Sequence, residues 1–98
     1  MVAHEMKGTY RAFIYLDVSP GKDQEIVEKI LEYDEVLEAH LISGKYDVLA
    51  VLEFRVYGHA IFTSPQKIVM NFVEKIRSLK YVLDTETVLP LRSLTKRE

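Results

Sequence analysis

A chain of 98 residues, 48% of them hydrophobic and 29% charged, has the make-up of one globular domain, without length for a second core or the polarity of a disordered chain. Thirteen Lys and Arg against fifteen Asp and Glu give a formal charge of -2, which argues against the concentrated basic surface of a general nucleic-acid binder. The lack of cysteine excludes disulfides, thiolate metal sites and a cysteine nucleophile; with no signal-like N-terminus and no run of roughly 20 apolar residues, the expected setting is the cytoplasm, with no membrane contact.

Residues 1–10 read as a polar lead into the domain. Arg11 to Val18 is rich in β-branched and aromatic residues and stops at the turn signal Ser19-Pro20-Gly21, which predicts a first strand. From Asp23 to about Tyr33, Ile26, Val27, Ile30 and Leu31 form one apolar stripe at helical spacing, with Glu25 and Lys29 as a favourable pair four apart. Val36 to Ser43 and Asp47 to Arg55 are strand candidates joined by Gly44-Lys45, the sequence preference of a two-residue type II′ hairpin turn. Counting outward from that turn pairs Leu41 with Val48, Ala39 with Ala50 and Leu37 with Leu52 on one apolar face. The other face pairs Ile42 with Asp47, His40 with Leu49, Glu38 with Val51 and Val36 with Glu53.

The stretch from Val56 to Thr63, with Gly58-His59, has the irregular pattern of a loop or a distorted strand end. Ser64-Pro65 then signals a helix start, and Ile68, Val69, Phe72, Val73, Ile76 and Leu79 give the stripe of a second helix ending near Lys80. A last strand runs from about Tyr81 to Leu89, and residues 93–98 read as a polar, mobile tail.

The order β-α-β-β-α-β, with two right-handed crossovers, predicts an α+β ferredoxin-like fold: a four-stranded antiparallel sheet with both helices on one face. If Ala12, Ile14, Leu16 and Val18 face the helices, Phe13 and Tyr15 point the other way. There they join Leu49 and Val51 from the uninterrupted run Val48 to Leu52. An antiparallel strand wet on one side does not normally carry such a run. An exposed apolar patch of this kind marks an association surface, so the expectation is a homodimer formed through the sheets, with Phe13, Tyr15, His40, Leu49 and Val51 at its interface; the alternative is that the 56–65 segment folds back and covers the patch within one subunit.

Three separated motifs, Pro20-Gly21-Lys22, Gly44-Lys45-Tyr46-Asp47 and Thr85-Glu86-Thr87-Val88-Leu89, resemble those of the RAM domain, the C-terminal effector-binding domain of Lrp/AsnC transcriptional regulators. The resemblance covers about residues 11–92. It implies dimers assembled further into an octamer, a tetramer of dimers, and an amino acid or related small-molecule effector bound at a subunit interface. Carried over position by position, Gly44, Tyr46 and Asp47 match the turn of that site, and Thr85 and Thr87 match the polar positions of the last strand. Lys45 stands at the variable position. The segment from Val56 to Gln66 departs from the charged stretch usual there. Ten residues ahead of the first strand leave no room for the helix-turn-helix of full-length members, so a stand-alone domain without direct nucleic acid binding is expected, with full-length Lrp/AsnC regulators as possible partners.

The chemistry of the turn agrees with that expectation. An amino-acid zwitterion needs an acceptor for its ammonium and donors for its carboxylate; Asp47 supplies the first, and the open backbone around Gly44 the second, with Thr85 and Thr87 adding hydroxyls. The structural alternative is that Asp47 caps the hairpin and Tyr46 packs at an interface. No cofactor or metal is expected, because His4, His40 and His59 lack metal-ligand spacing. Glu38 and His40, two apart on one strand, suit an interface network as well as an acid–base pair. The surviving enzyme alternative is a dimeric α+β barrel of the monooxygenase type, which would need a pocket between sheet and helices in each subunit; a purely structural interaction domain is the other alternative.

Overall fold

In a computed structural model, residues 4–5, 9–55 and 64–96 are described. The elements are β1 (His4–Glu5), β2 (Thr9–Val18), α1 (Asp23–Ile30), β3 (Val36–Leu41), β4 (Val48–Arg55), α2 (Pro65–Arg77), β5 (Val82–Val88) and β6 (Leu94–Thr95). The main sheet has the order β3-β4-β2-β5 with every neighbouring pair antiparallel. This is the ferredoxin-like β-α-β-β-α-β arrangement. The stretch 56–63, including Gly58 and His59, and the tail residues 97–98 lie outside the described residues.

Strict alternation on β2 sends Ala12, Ile14, Leu16 and Val18 into the core, where they meet Val48, Ala50 and Leu52 of β4. Ile26, Val27 and Ile30 of α1 and Val69, Phe72, Val73 and Ile76 of α2 cover them. Each large side chain buried this way contributes about 1.5–3 kcal/mol. Phe72 sits fully buried with the ring of Tyr33 edge-on to it at 5.5 Å. The middle of the space between sheet and helices is thus filled by side chains, while a cavity of about 390 Å³ opens at the start of α2, lined among others by Tyr10, Phe54, Pro65, Gln66 and Val69. Ser64 starts α2 as expected, its Oγ accepting the Lys67 N–H at 3.1 Å with Pro65 behind it.

Several local expectations are corrected. Helix α1 ends at Ile30, where the N–H groups of Glu32 and Tyr33 turn to the carbonyls of Lys29 and Ile30, three residues back. That tightening breaks the 3.6-residue period, so Leu31 is left 49% exposed and Tyr33 packs inward instead. Glu25 and Lys29 close no ion pair within 4 Å. Between β3 and β4 the register holds at Leu41–Val48, His40–Leu49, Ala39–Ala50 and Glu38–Val51, and then a bulge pairs Val36 with Leu52. The expected Leu37–Leu52 and Val36–Glu53 pairs therefore do not form. Leu37 is the extra residue, 47% exposed, while Val36 keeps its place against the core.

The hairpin loop is also wider than a two-residue turn. Its closing bond runs from Ile42 N–H to the Asp47 carbonyl at 3.0 Å, leaving Ser43 to Tyr46 between. Asp47 is also held by β2: its N–H donates to the Leu16 carbonyl at 2.9 Å, and its carboxylate accepts the Val18 N–H at 3.0 Å. Gly44, at φ +121°, takes a conformation that other residues resist. Helix α2 stops at Arg77 rather than Lys80, with the Ser78 hydroxyl donating back to the Lys75 carbonyl at 2.7 Å. At the chain ends, β1 pairs with β6 in a small antiparallel ribbon, so part of the expected mobile tail is tied down.

Candidate functional site

The helix-free face of the sheet is organised in rows that cross all four strands. One row reads His40, Leu49, Tyr15, Glu86, and the next reads Glu38, Val51, Phe13, Val88. All five residues expected at a dimer interface, Phe13, Tyr15, His40, Leu49 and Val51, fall in these two rows. The register that places them follows from the alternation of β2: residues whose neighbours enter the core must point the other way. The centre of the face is apolar and its margins are polar. On the β3 side His40 Nε2 and Glu38 Oε2 lie 3.1 Å apart. Toward the Thr9 end of β2, Arg11 Nη2 and Glu53 Oε1 face each other at 3.7 Å.

This face is less open than an isolated patch would be. Val51 is only 5% exposed, and Phe13, Tyr15 and Leu49 are half-buried. Val51 stands at the middle of the sheet between Phe13 on one side and Glu38 on the other.

At the opposite end of the face, the Gly44 to Asp47 loop folds back over the sheet. The Tyr46 ring lies 5.7 Å from that of Tyr15, with Lys45 Nζ 5.6 Å from the Tyr46 centroid. Around it stand carboxylates that sequence reasoning did not single out: Asp17 and Asp84, directly opposite each other on β2 and β5, and Glu86 beside Tyr15. Parity gave part of the signal, since 13, 15 and 17 share one face of β2 and 84 and 86 share one face of β5, while the β2–β5 register makes the two faces the same. Partial burial, then the charge of Glu86 and a hydrogen bond to it, then Asp84 and Asp17, raise the Tyr46 hydroxyl above its ordinary 10.0. Asp17 is raised above 3.8 first by a hydrogen bond with Asp47, then by burial, then by the charges of Asp47 and Asp84.

The five residues matched to an effector site are not gathered on one side. Gly44 and Tyr46 belong to the loop on the helix-free side, and the Asp47 carboxylate is already engaged by the Val18 N–H. Thr85 and Thr87 pair with Leu16 and Ile14 and so lie on the helix-side face, half-buried along the edge strand β5. A single ligand touching Tyr46 and both threonines must reach around the β5 edge or lie where two copies meet. Among the described residues no group of three His, Cys, Asp or Glu is placed to hold a metal, and no helix is long and apolar enough to cross a membrane.

A family model described as the Lrp/AsnC ligand binding domain matches residues 11–98. The HTH-type transcriptional regulator FL11 of Pyrococcus furiosus is 27% identical over 81 residues, 83% of this chain and 48% of the regulator. The chain thus spans about half the length of that relative. Among solved structures, a hypothetical protein from Pyrococcus horikoshii superposes with a TM-score of 0.66 at 28% identity, over 84% of this chain and 89% of that one. A transcriptional regulator of Neisseria meningitidis, described as a complex with L-Met, superposes with a TM-score of 0.62 at 19% identity, over 91% of this chain and 52% of that one, a likeness of fold.

Proposed function

This chain belongs to the Lrp/AsnC ligand-binding domain family, and from that premise we propose that it is a sensor of an amino acid or related small metabolite, acting by assembly rather than by chemistry. Its homologues are transcriptional regulators. In this reading two copies associate through their helix-free sheet faces, and dimers join further into an octamer. The effector sits at a subunit interface beside the Gly44 to Asp47 loop, and its occupancy biases regulation of transcription, through homomeric assemblies or through mixed ones with full-length regulators of the family. The protein is neither an enzyme nor a direct nucleic-acid binder.

The observation that carries this reading is the pair of rows across the helix-free face. An apolar centre of Phe13, Tyr15, Leu49 and Val51 with polar margins of His40, Glu38, Glu86 and Arg11 has the anatomy of a protein interface. The division of Tyr46 from Thr85 and Thr87 supports a ligand shared between copies. Asp47 serves the Val18 N–H, so the acidic margin of Asp17, Asp84 and Glu86 takes over as the complement of an effector ammonium.

Such a site works by linkage. A ligand that binds only the assembly stabilises it by RT ln(1 + [L]/Kd), about 2.7 kcal/mol at a hundredfold excess over Kd. Calorimetric titration of the full chain with a panel of amino acids, methionine first, tests the reading. One of them is expected to bind, and Tyr46→Ala and Thr87→Val are each expected to weaken it at least tenfold. Heats of dilution alone across the whole panel would overturn it.

A further inference from the structure

Behind the loop, on the helix side, a cavity of about 340 Å³ opens between α1 and the link from α2 to β5, lined by Glu25, Ile26, Lys29, Leu79, Lys80 and Tyr81. Two features set it apart. Tyr81 holds φ +80°, a left-handed conformation unusual for a bulky residue, and it is fixed there as the Ser19 N–H donates to its carbonyl at 2.8 Å. Residues kept in such conformations concentrate where a ligand or mechanism needs them. Secondly, the Tyr81 ring carries two ammonium groups, Lys22 Nζ at 4.6 Å and Lys80 Nζ at 5.2 Å from its centroid, and Lys29 adds a third in the wall. Among the described residues no carboxylate lies within 4 Å of any of the three.

We propose that this cavity binds a small organic dianion with an apolar or planar body. The chemistry follows from the walls. Ile26, Leu79 and the Tyr81 ring offer an apolar slot; Lys29 and Lys80 in the lining stand against the single carboxylate of Glu25, and Lys22, outside the lining, adds a further positive charge from its seat on the Tyr81 ring. An ammonium resting on an aromatic face keeps hydrogens free to donate, so Lys22 and Lys80 are held by the ring without being consumed by it. A phosphate monoester and a dicarboxylate satisfy the same walls. The cavity uses no residue of the Gly44 to Asp47 loop, so its occupation stands or falls independently of amino-acid sensing.

The test is titration of the isotope-labelled full chain, followed by NMR, with phenyl phosphate, phenylsuccinate, inorganic phosphate and benzyl alcohol. At least one of the two aromatic dianions is expected to give saturable shifts centred on Ile26, Leu79, Lys80 and Tyr81, and the tighter one identifies the source. Inorganic phosphate and benzyl alcohol, each lacking half of the recognition, are expected to bind at least tenfold more weakly. A Lys22→Met, Lys80→Met double variant should lose at least tenfold in affinity. Tyr81→Gly, whose backbone accepts φ +80° without strain, should fold and lose the site, and Tyr81→Phe should keep it. Shifts scattered over the surface, equal binding of inorganic phosphate, or undiminished affinity in the double variant would overturn the proposal.

Discussion

The two faces of the sheet are built from the same strands and differ in what completes them. On the helix side every inward residue of β2 and β4 finds a partner within the chain, and the result is an apolar core from Ala12 to Ile76. On the other side the same strands present Phe13, Tyr15 and Leu49 half-buried, with Val51 buried, and no described helix packs over them. The first face is finished locally. The second is finished, in our reading, by another copy, so substitutions on the two faces should be distinguishable by what they break.

The largest expected effect is on the finished face. Phe72→Ala removes the ring at the centre of the core and should cost about 3–5 kcal/mol of folding free energy, read as a lower urea midpoint. Should the loss be far smaller, the core would be less tightly packed than the burial of Phe72 requires. On the unfinished face, Leu49→Asp is expected to leave the helical and strand content intact while weakening self-association on the order of 100-fold, which corresponds to about 2.7 kcal/mol. Circular dichroism together with sedimentation separates the two effects. A variant that unfolded outright would place Leu49 on the folding side of the comparison.

Much of the finished face could be read from the chain, because alternation and helical spacing are local signals. The inward residues of β2, the hairpin pairs Leu41–Val48 and Ala39–Ala50, and the Ser64 cap all follow from periods of 2 and 3.6 and from capping chemistry. What escaped depends on tertiary choices. The bulge at Leu37 arises because Val36 must stay against the core, and Leu31 leaves the stripe when the helix tightens into its last turn. Asp47 looks like a free ligand group until β2 supplies Val18 and Leu16 as its partners. The helix-side placement of Thr85 and Thr87 needed the β2–β5 register, which no turn sets because the two strands are far apart in the chain.

The smallest effect sharpens the acidic end of the unfinished face. Asp17 is raised in the folded state by its hydrogen bond with Asp47, by burial and by the charges of Asp47 and Asp84. A carboxyl raised on folding binds its proton more tightly in the native protein, so its contribution to stability is greatest in acid and is lost as pH rises through the folded value. Asp17→Asn should therefore be more stable than the wild type at neutral pH, and the advantage should shrink as pH falls through the carboxylate range. Thermal melts of both proteins across that range check it. An advantage that grew in acid would mean that Asp17 is held as a stabilised anion instead.

Sedimentation equilibrium of the unmodified chain at micromolar concentration tests most directly whether a second copy covers the helix-free face. A mass of at least twice 11.4 kDa is expected, falling toward the single-chain value in Leu49→Asp. A wild-type protein that sediments as one chain across that range would contradict that expectation.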